Sequence, residues 1–398
     1  MFEWTFEGTR IYGIFLSYML VFVFCFLLVL VLLGKIRFQP IRKHSMLLFG
    51  LVCFSFFVRL PFVWMNELSY DEPLYISASL LYMEGFSEGI GSGKFMANYE
   101  HPPLVKYLLG AYLKICYPDA HLDYGSQIND YNLLFCARIF SAFMGAISII
   151  PLYFIAEKIT PNLGMTASIF FALNPSHARL SGLAYLDVPM IFFGLCSILV
   201  TLHLLEKTSL KTIIICGVFN GLLIGTKWIQ PTLFIIPMLV FILIFHRKKF
   251  PAYALTWIIS LATLTLLWLP LIYQLGLNLI PFINSHWINQ MHTTERGFLE
   301  MVLWNMTIAE LAVHISCLIV TAVLLALKVK VNREMVKDFL PIVLICTILT
   351  AFYLEPRKAV YYWTPITPFT SLLLAQTIFL CSEFYQRYNS KKQLQHHF

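Results

Sequence analysis

Two groups of ionisable side chains stand out in this chain, Asp71-Glu72 and Tyr99-Glu100-His101-Pro102-Pro103-Leu104. Both fall in one stretch, Asn66 to Asp130, that gathers polar side chains between long apolar runs. Neighbouring carboxylates, an imidazole and several tyrosines are groups that take up and release protons. Their concentration in the first large loop points to chemistry at a membrane surface, because a passive membrane wall needs none of them. Each residue also has a plainer reading. Asp71 suits the cap of a helix starting near Glu72-Pro73, where proline is tolerated and an acid favours the helix dipole. Glu72 fits the same helix start. His101 precedes Pro102, which keeps its backbone extended and presents its side chain rigidly.

The elements that position these residues follow from pattern. Leu74, Ala78, Leu81 and Tyr82 recur at helical spacing and Gly85 ends the segment, predicting a short amphipathic helix lying in the membrane interface. Gly85, Gly89, Gly91 and Gly93 make a flexible turn. No strand–turn–helix context surrounds them, so they are not a phosphate-binding fingerprint.

The chain as a whole is 59% apolar and 12% charged, with a mean hydropathy of +0.74. Soluble domains carry about 25% charged residues, so this composition excludes an ordinary soluble protein. The expectation is one all-α polytopic membrane domain over residues 1–398. The net charge of +7 does not imply a nucleic-acid partner, because the basic residues cluster in short loops between apolar runs. Most of the nine cysteines, including Cys25, Cys53, Cys196, Cys216, Cys317 and Cys346, lie inside apolar runs and show no metal or disulfide spacing. Ile11–Leu33 is too long for a signal-peptide core and is taken as a transmembrane helix.

Apolar runs near spanning length occur at Ile11–Leu33, Met46–Met65, Tyr131–Ala156, Gly164–Leu180, Val188–Leu205, Thr212–Thr226, Ile229–His246, Pro251–Leu269, Leu303–Leu327, Phe339–Leu354 and Val360–Leu380, about eleven in all. Alternation along these runs puts 17 of the 28 Lys and Arg residues on one side, among them Lys35, Lys158, Lys207, Lys211, Arg247-Lys248-Lys249, Arg333 and Arg387. The positive-inside rule makes that side cytoplasmic. The N-terminus then faces outward and the C-terminus inward, and the loops 66–130 and 270–302 share the extracytoplasmic face.

At these residues the chain resembles a known family. Asp71-Glu72 after an early membrane exit, followed by Glu100-His101-Pro102-Pro103-Leu104, is similar to the first luminal loop of the protein O-mannosyltransferases and their relatives, the bacterial aminoarabinose lipid A transferases. Both belong to the GT-C class of integral-membrane glycosyltransferases. Arg138 with Ser141 and Gly145, the segment from Arg179 to Leu186-Asp187-Val188-Pro189, and Gly221 to Lys227-Trp228 resemble further family segments. The likeness runs from Val58 to Pro237 and is looser beyond. Ile11–Leu33 precedes the helix that normally opens the fold. The chain ends soon after its last apolar run, so the soluble domains of many relatives are expected to be absent. Together with the lack of retention signals, this favours a prokaryotic cell membrane.

The resemblance implies an inverting transferase that moves a sugar, a mannose-like hexose or related, from a polyprenyl- or dolichyl-phosphate donor to a protein, lipid or glycan acceptor outside the cytoplasm. The acceptor hydroxyl must lose a proton, so one carboxylate acts as base. The departing phosphate is already a stable anion and needs no general acid, unlike the leaving group in glycoside hydrolysis. By their match to the family, Asp71 is the candidate base and Glu72 orients base or acceptor. Arg138, Lys227, Arg357 and His101 are candidates for the donor phosphate, and Asp187, Tyr75 and Tyr99 for acceptor or sugar. Glu100 with His286, and His292 nearby, is the candidate set for a divalent metal ion, the one cofactor implied. Snorkelling to the interface is the plainer reading of Arg138, Lys227 and Arg357-Lys358, and a helix cap that of Asp187. Glu310 and His314, four apart in an apolar run, suit a local hydrogen-bonded pair or a polar path. A transporter or lipid flippase is the competing class, but no internal repeat supports it.

Overall fold

The computed structural model describes residues 6–32, 44–228, 230–276, 308–326 and 364–395. Among them are fourteen α-helices and no strands. In chain order the helices are α1 (Phe6–Leu32), α2 (His44–Met65), α3 (Asp71–Glu88), α4 (Leu104–Cys116), α5 (Tyr131–Ile147), α6 (Ile149–Ile159), α7 (Gly164–Ala172) and α8 (Pro175–Ser181). They continue as α9 (Asp187–Glu206), α10 (Leu210–Ile224), α11 (Thr232–Phe245), α12 (Phe250–Leu275), α13 (Ile308–Ala326) and α14 (Thr367–Gln395). Among the described residues six segments are long and apolar enough to cross a bilayer: Ile11–Leu30, Met46–Met65, Tyr131–Ile159, Asp187–Glu206, Arg247–Leu275 and Thr364–Gln386. Leu210–Ile224, Thr232–Phe245 and Ala312–Thr321 are shorter apolar helices. The chain is a multi-pass membrane protein. The expected run Phe339–Leu354 lies outside the described residues.

Two expected runs are not single helices: Tyr131–Ala156 is divided at Ser148 into α5 and α6, and Gly164–Leu180 is divided as well. Gly164–Leu180 reads as one run near spanning length, but the structure divides it into α7 and α8 at Leu173-Asn174. Pro175 lacks an N–H and disfavours helical geometry in the residue before it, so the helix stops there and restarts. The Asn174 side chain accepts from His177 N at 2.9 Å and caps the restart. Free carbonyls at membrane depth need partners, and α2 supplies one. Fully buried Arg59 donates to Ser55 O (2.8 Å), reaches Ala172 O at the end of α7 (3.5 Å) and donates to His177 Nδ1 (2.7 Å). Its guanidinium lies 5.9 Å from the Phe171 ring centre. A cation at a helix C-terminus is favourably placed.

Close packing sets a second feature. Gly217, Gly221 and Gly225 form a four-residue repeat along α10 and its end, against α12. A Cβ at these positions would meet Ile259 Cβ at 2.6 Å, Thr263 Cβ at 2.6 Å and Leu267 Cδ1 at 2.5 Å. The absence of side chains there lets the two backbones approach. This contact carries the α10–α11 connection toward the 66–130 segment.

That segment is an ordered layer on one end of the bundle. α3 and α4 pack as a pair, and Ala78, Tyr82, Phe95 and Ala97 share a cluster with Trp268 and Leu271 of α12. Tyr107 Oη donates to Leu267 O (2.9 Å) and Gln274 Nε2 to Ile90 O (2.8 Å). Glu84 pairs with Lys94 (2.9 Å), His121 (2.9 Å) and Lys114 (3.6 Å), tying both flanking loops to α3. The ends of α2, α10 and α12 and the starts of α5 and α9 meet this layer. At the opposite end Lys158 pairs with Glu206, and Lys249 donates to Thr208 Oγ1 at 2.8 Å.

Candidate functional site

The two acids that begin α3 have different surroundings. Glu72 is fully buried and its carboxylate accepts four hydrogen bonds. Oε1 accepts from Arg138 Nε (2.8 Å) and Ala184 N (2.9 Å), and Oε2 from Arg138 Nη2 (2.7 Å) and Ser69 N (2.9 Å). The remaining Arg138 donors go to Val63 O (3.1 Å), Asn66 O (2.8 Å) and Glu67 O (2.8 Å). All five guanidinium N–H groups are thus committed inside the protein. The bidentate pair joins the end of α2, the start of α3, α5 and the segment before α9. Arg138, expected from sequence at the donor phosphate, has no donor left for it in this arrangement.

Asp71, one residue earlier, is half-buried, and its side chain forms no hydrogen bond or ion pair with any described residue. Burial pushes its carboxyl above the usual carboxylate range; the Lys227 ammonium opposes this, and the Asp187 and Glu72 carboxylates add to it. An unpartnered, partly desolvated carboxylate with a raised pKa is suited to accepting a proton. Asp187 begins α9 and Lys227 follows α10. Both are buried, and Lys227 Nζ donates to Asp187 Oδ1 at 2.8 Å. Asp187 therefore does more than favour its helix terminus.

The Glu100-His101 turn is held from several directions. Asn98 has a left-handed φ of 51°, a conformation asparagine tolerates better than most residues. His101 N donates to Asn98 O (3.1 Å), Asn98 Nδ2 to Glu100 Oε1 (2.9 Å), Trp228 Nε1 to Glu100 O (2.9 Å) and Leu104 N to Gly225 O (3.0 Å). The fully buried Lys106 ammonium donates to His101 O (2.8 Å), Asn98 O and Tyr82 Oη (3.2 Å). Burial lowers its pKa to about 7, against the opposing pull of Glu100. The His101 ring stands edge-on to Tyr75 at 5.6 Å, and Tyr75 to Tyr185 at 5.9 Å; the Tyr185 hydroxyl bonds Ser69 Oγ.

The structure therefore gathers Asp71, Glu72, Tyr75, Glu100, His101, Arg138, Asp187 and Lys227 at one end of the bundle. Tyr99 packs instead on the cluster around Phe95 and Trp268. Arg179 contributes its carbonyl, accepting Asn66 Nδ2 at 3.0 Å. Two residues escaped the sequence reading. Lys106 was signalled only as a lone lysine in an apolar helix, and Tyr185 only by its place in the Arg179–Asp187 segment. His286, His292, Arg357 and Lys358 lie outside the described residues. His314 is buried in α13. Among the described residues no group of three or more His, Cys, Asp and Glu side chains is arranged to hold a metal. Glu100, the described member of the expected set, already accepts from Asn98.

Comparison with known proteins gives these positions a context. Dolichyl-phosphate-mannose–protein mannosyltransferase 1 of Saccharomyces cerevisiae is 23% identical over 208 residues, 50% of this chain and 24% of that protein. The chain thus spans about a quarter of the length of this curated relative. ArnT from Cupriavidus metallidurans, solved with bound undecaprenyl phosphate, superposes with a TM-score of 0.59 at 16% identity, covering 83% of this chain and 59% of that one. The Archaeoglobus fulgidus oligosaccharyltransferase AglB, solved with an inhibitory peptide and a dolichol-phosphate, superposes at 0.51 and 13% identity, covering 88% and 52%. These likenesses show that the fold is that of the GT-C membrane glycosyltransferases. The family model described as dolichyl-phosphate-mannose-protein mannosyltransferase matches residues 68–295, more than half of the chain and a longer stretch than the sequence resemblance covered. The acid pair, the Glu100-His101 turn and the buried Asp187–Lys227 pair all fall within that match, and the chain belongs to the dolichyl-phosphate-mannose-protein mannosyltransferase family.

Proposed function

We propose that this chain, as a single membrane domain, transfers a sugar from a polyprenyl-phosphate donor to a hydroxyl acceptor with inversion. The observation that carries the reading is the contrast at the start of α3, where the Glu72 carboxylate is locked by four hydrogen bonds and the neighbouring Asp71 carboxylate has none from the described residues. The acceptor oxygen attacks the anomeric carbon as its proton passes to the Asp71 carboxylate. The bond from that carbon to the phosphate oxygen breaks and the polyprenyl monophosphate departs with the electron pair. His101 and Lys227 face the same region as the candidates to receive that phosphate, the lysine by exchanging part of its contact with Asp187. Tyr75 and Tyr185 offer aromatic surfaces for the sugar. Glu72 and Arg138 are positioning residues. No step is routed through a metal. The yeast relative is a protein mannosyltransferase by name, which supports a mannose-like hexose and a protein hydroxyl as acceptor. A glycolipid acceptor is the alternative within the same fold.

In this reading the site end faces outward from the cytoplasm, with the N-terminus outside and the C-terminus inside. The basic cluster Lys158, Lys207, Lys211 and Arg247 to Lys249 at the opposite end supports that orientation. A transporter or lipid flippase would need a polar path through the bundle, whereas both buried carboxylate pairs, Glu72–Arg138 and Asp187–Lys227, lie at one end. The test is transfer of labelled sugar from a panel of polyprenyl-phosphate sugars by purified wild type and Asp71→Asn. A loss of at least about 100-fold is expected, the low end for removing a general base. Undiminished transfer by the variant overturns the assignment of Asp71.

A further inference from the structure

The connection after α9 and the one before α12 lie side by side at the end of the bundle away from the site. Lys249 Nζ donates to Thr208 Oγ1 at 2.8 Å and joins the two. α10 and α12 then run parallel from there, since Gly217, Gly221 and Gly225 meet Ile259, Thr263 and Leu267 in the same order. Lys207 precedes Thr208, Lys211 lies in the first turn of α10, and Arg247-Lys248 precede Lys249. Chain connectivity therefore gathers five cations into one patch. Lys207, Lys211, Arg247 and Lys248 are exposed, and among the described residues none of these four pairs with a carboxylate. The neighbouring acid, Glu206, is paired with Lys158 and lies 3.6 Å from His203.

The surface next to these cations is apolar. On α10, Lys211 is followed at helical spacing by Ile214 and Ile215, both exposed. Beside Arg247-Lys248, Phe245, Phe250, Leu255 and Ile258 are exposed as well. In a multi-pass membrane protein such side chains face acyl chains. Cations at headgroup level, with an acyl-facing strip directly beyond them, complement a lipid with a negative headgroup. A soluble polyanion would match the cations but not the apolar strip. We propose that this patch binds an anionic phospholipid, its phosphate against Lys207, Lys211, Arg247 and Lys248 and its acyl chains along α10 and α12. Placing that lipid in the cytoplasmic leaflet rests on the orientation proposed above; the choice of lipid does not. A headgroup bridging the two connections would hold the start of α10, the helix that leads to Lys227, against α12.

The test is native mass spectrometry of the purified full chain in detergent, offered equal amounts of phosphatidylglycerol and phosphatidylcholine. Wild type is expected to retain phosphatidylglycerol preferentially. Lys211→Gln with Lys248→Gln should lower that preference at least about fivefold, roughly the contribution of one basic side chain near an anionic lipid surface. Lys391→Gln with Lys392→Gln removes the same charge from the end of α14 and should leave the preference unchanged. All four side chains are replaced by an uncharged polar one, and matching thermal midpoints would show that each variant folds. Equal retention of both lipids by wild type overturns the proposal, because the patch would then only orient the chain in the membrane. An undiminished preference in the first variant, or an equal drop in both, overturns it too, the latter by assigning the effect to net charge.

Discussion

At the level of single residues, the site separates groups that hold from groups that remain free to react. Glu72 and Arg138 hold, so removing either leaves an uncompensated buried charge. Glu72→Ala and Arg138→Ala are each expected to destabilise the protein by about 3–5 kcal/mol, read as a lower thermal midpoint of the purified protein. Asp71 is the proposed base, and only its ionised form can accept a proton. Activity should therefore fall as pH drops through its raised pKa, placing the acid limb of kcat/KM above the usual aspartate value of about 4. Lys227 opposes that rise, so Lys227→Met should move the limb to still higher pH; an unmoved limb would separate Lys227 from Asp71. Lys106 gives a stability signature of its own. Its pKa is about 7 when folded, against an ordinary 10.5. Between these values the unfolded chain binds the extra proton, so stability should rise with pH from about 7 to 10.5. In Lys106→Met that rise should be absent from thermal midpoints measured across the same range.

At the level of helices, the connection after α10 reaches the Glu100 turn because three glycines let α10 lie against α12. Gly221→Leu would place its first side-chain carbon 2.6 Å from Thr263 Cβ, and overpacking of this kind costs about 1–3 kcal/mol. The displacement would also shift Gly225 and Lys227 from Leu104 and Asp187. Transfer is expected to fall at least about tenfold, since small misplacements of positioning groups are costly to rate. Most long helices were legible in the sequence because a spanning helix must be a long apolar run. The break between α7 and α8 was hidden for the same reason. Asn174-Pro175 follows an apolar stretch and marks the break, but the partner that makes an interior break tolerable, Arg59, lies in a different helix. The pairings Glu72–Arg138 and Asp187–Lys227 were equally hidden, because spacing along the chain does not say which helices become neighbours.

Across the whole molecule, reactive groups gather at one end and basic residues at the other. If the site end faces outward, Asp119→Cys in a Cys116→Ser background should react with a membrane-impermeant maleimide in intact cells, and Lys211→Cys only after lysis. The reverse pattern would invert the topology. Chelation tests the expected metal set of Glu100 with His286: a clear loss of transfer on removing divalent ions supports it, and unchanged transfer removes it. The two acids at the start of α3 carry one more consequence. Consecutive residues on a helix diverge by about 100° in direction, so the longer acid fills the crevice while the shorter faces the open side. Exchanging them, Asp71→Glu together with Glu72→Asp, preserves composition and charge. It would nevertheless leave the Arg138 fork a methylene short of its carboxylate and push the reactive carboxylate a methylene too far. The order of two letters, rather than their presence, is then what the bundle is built to read.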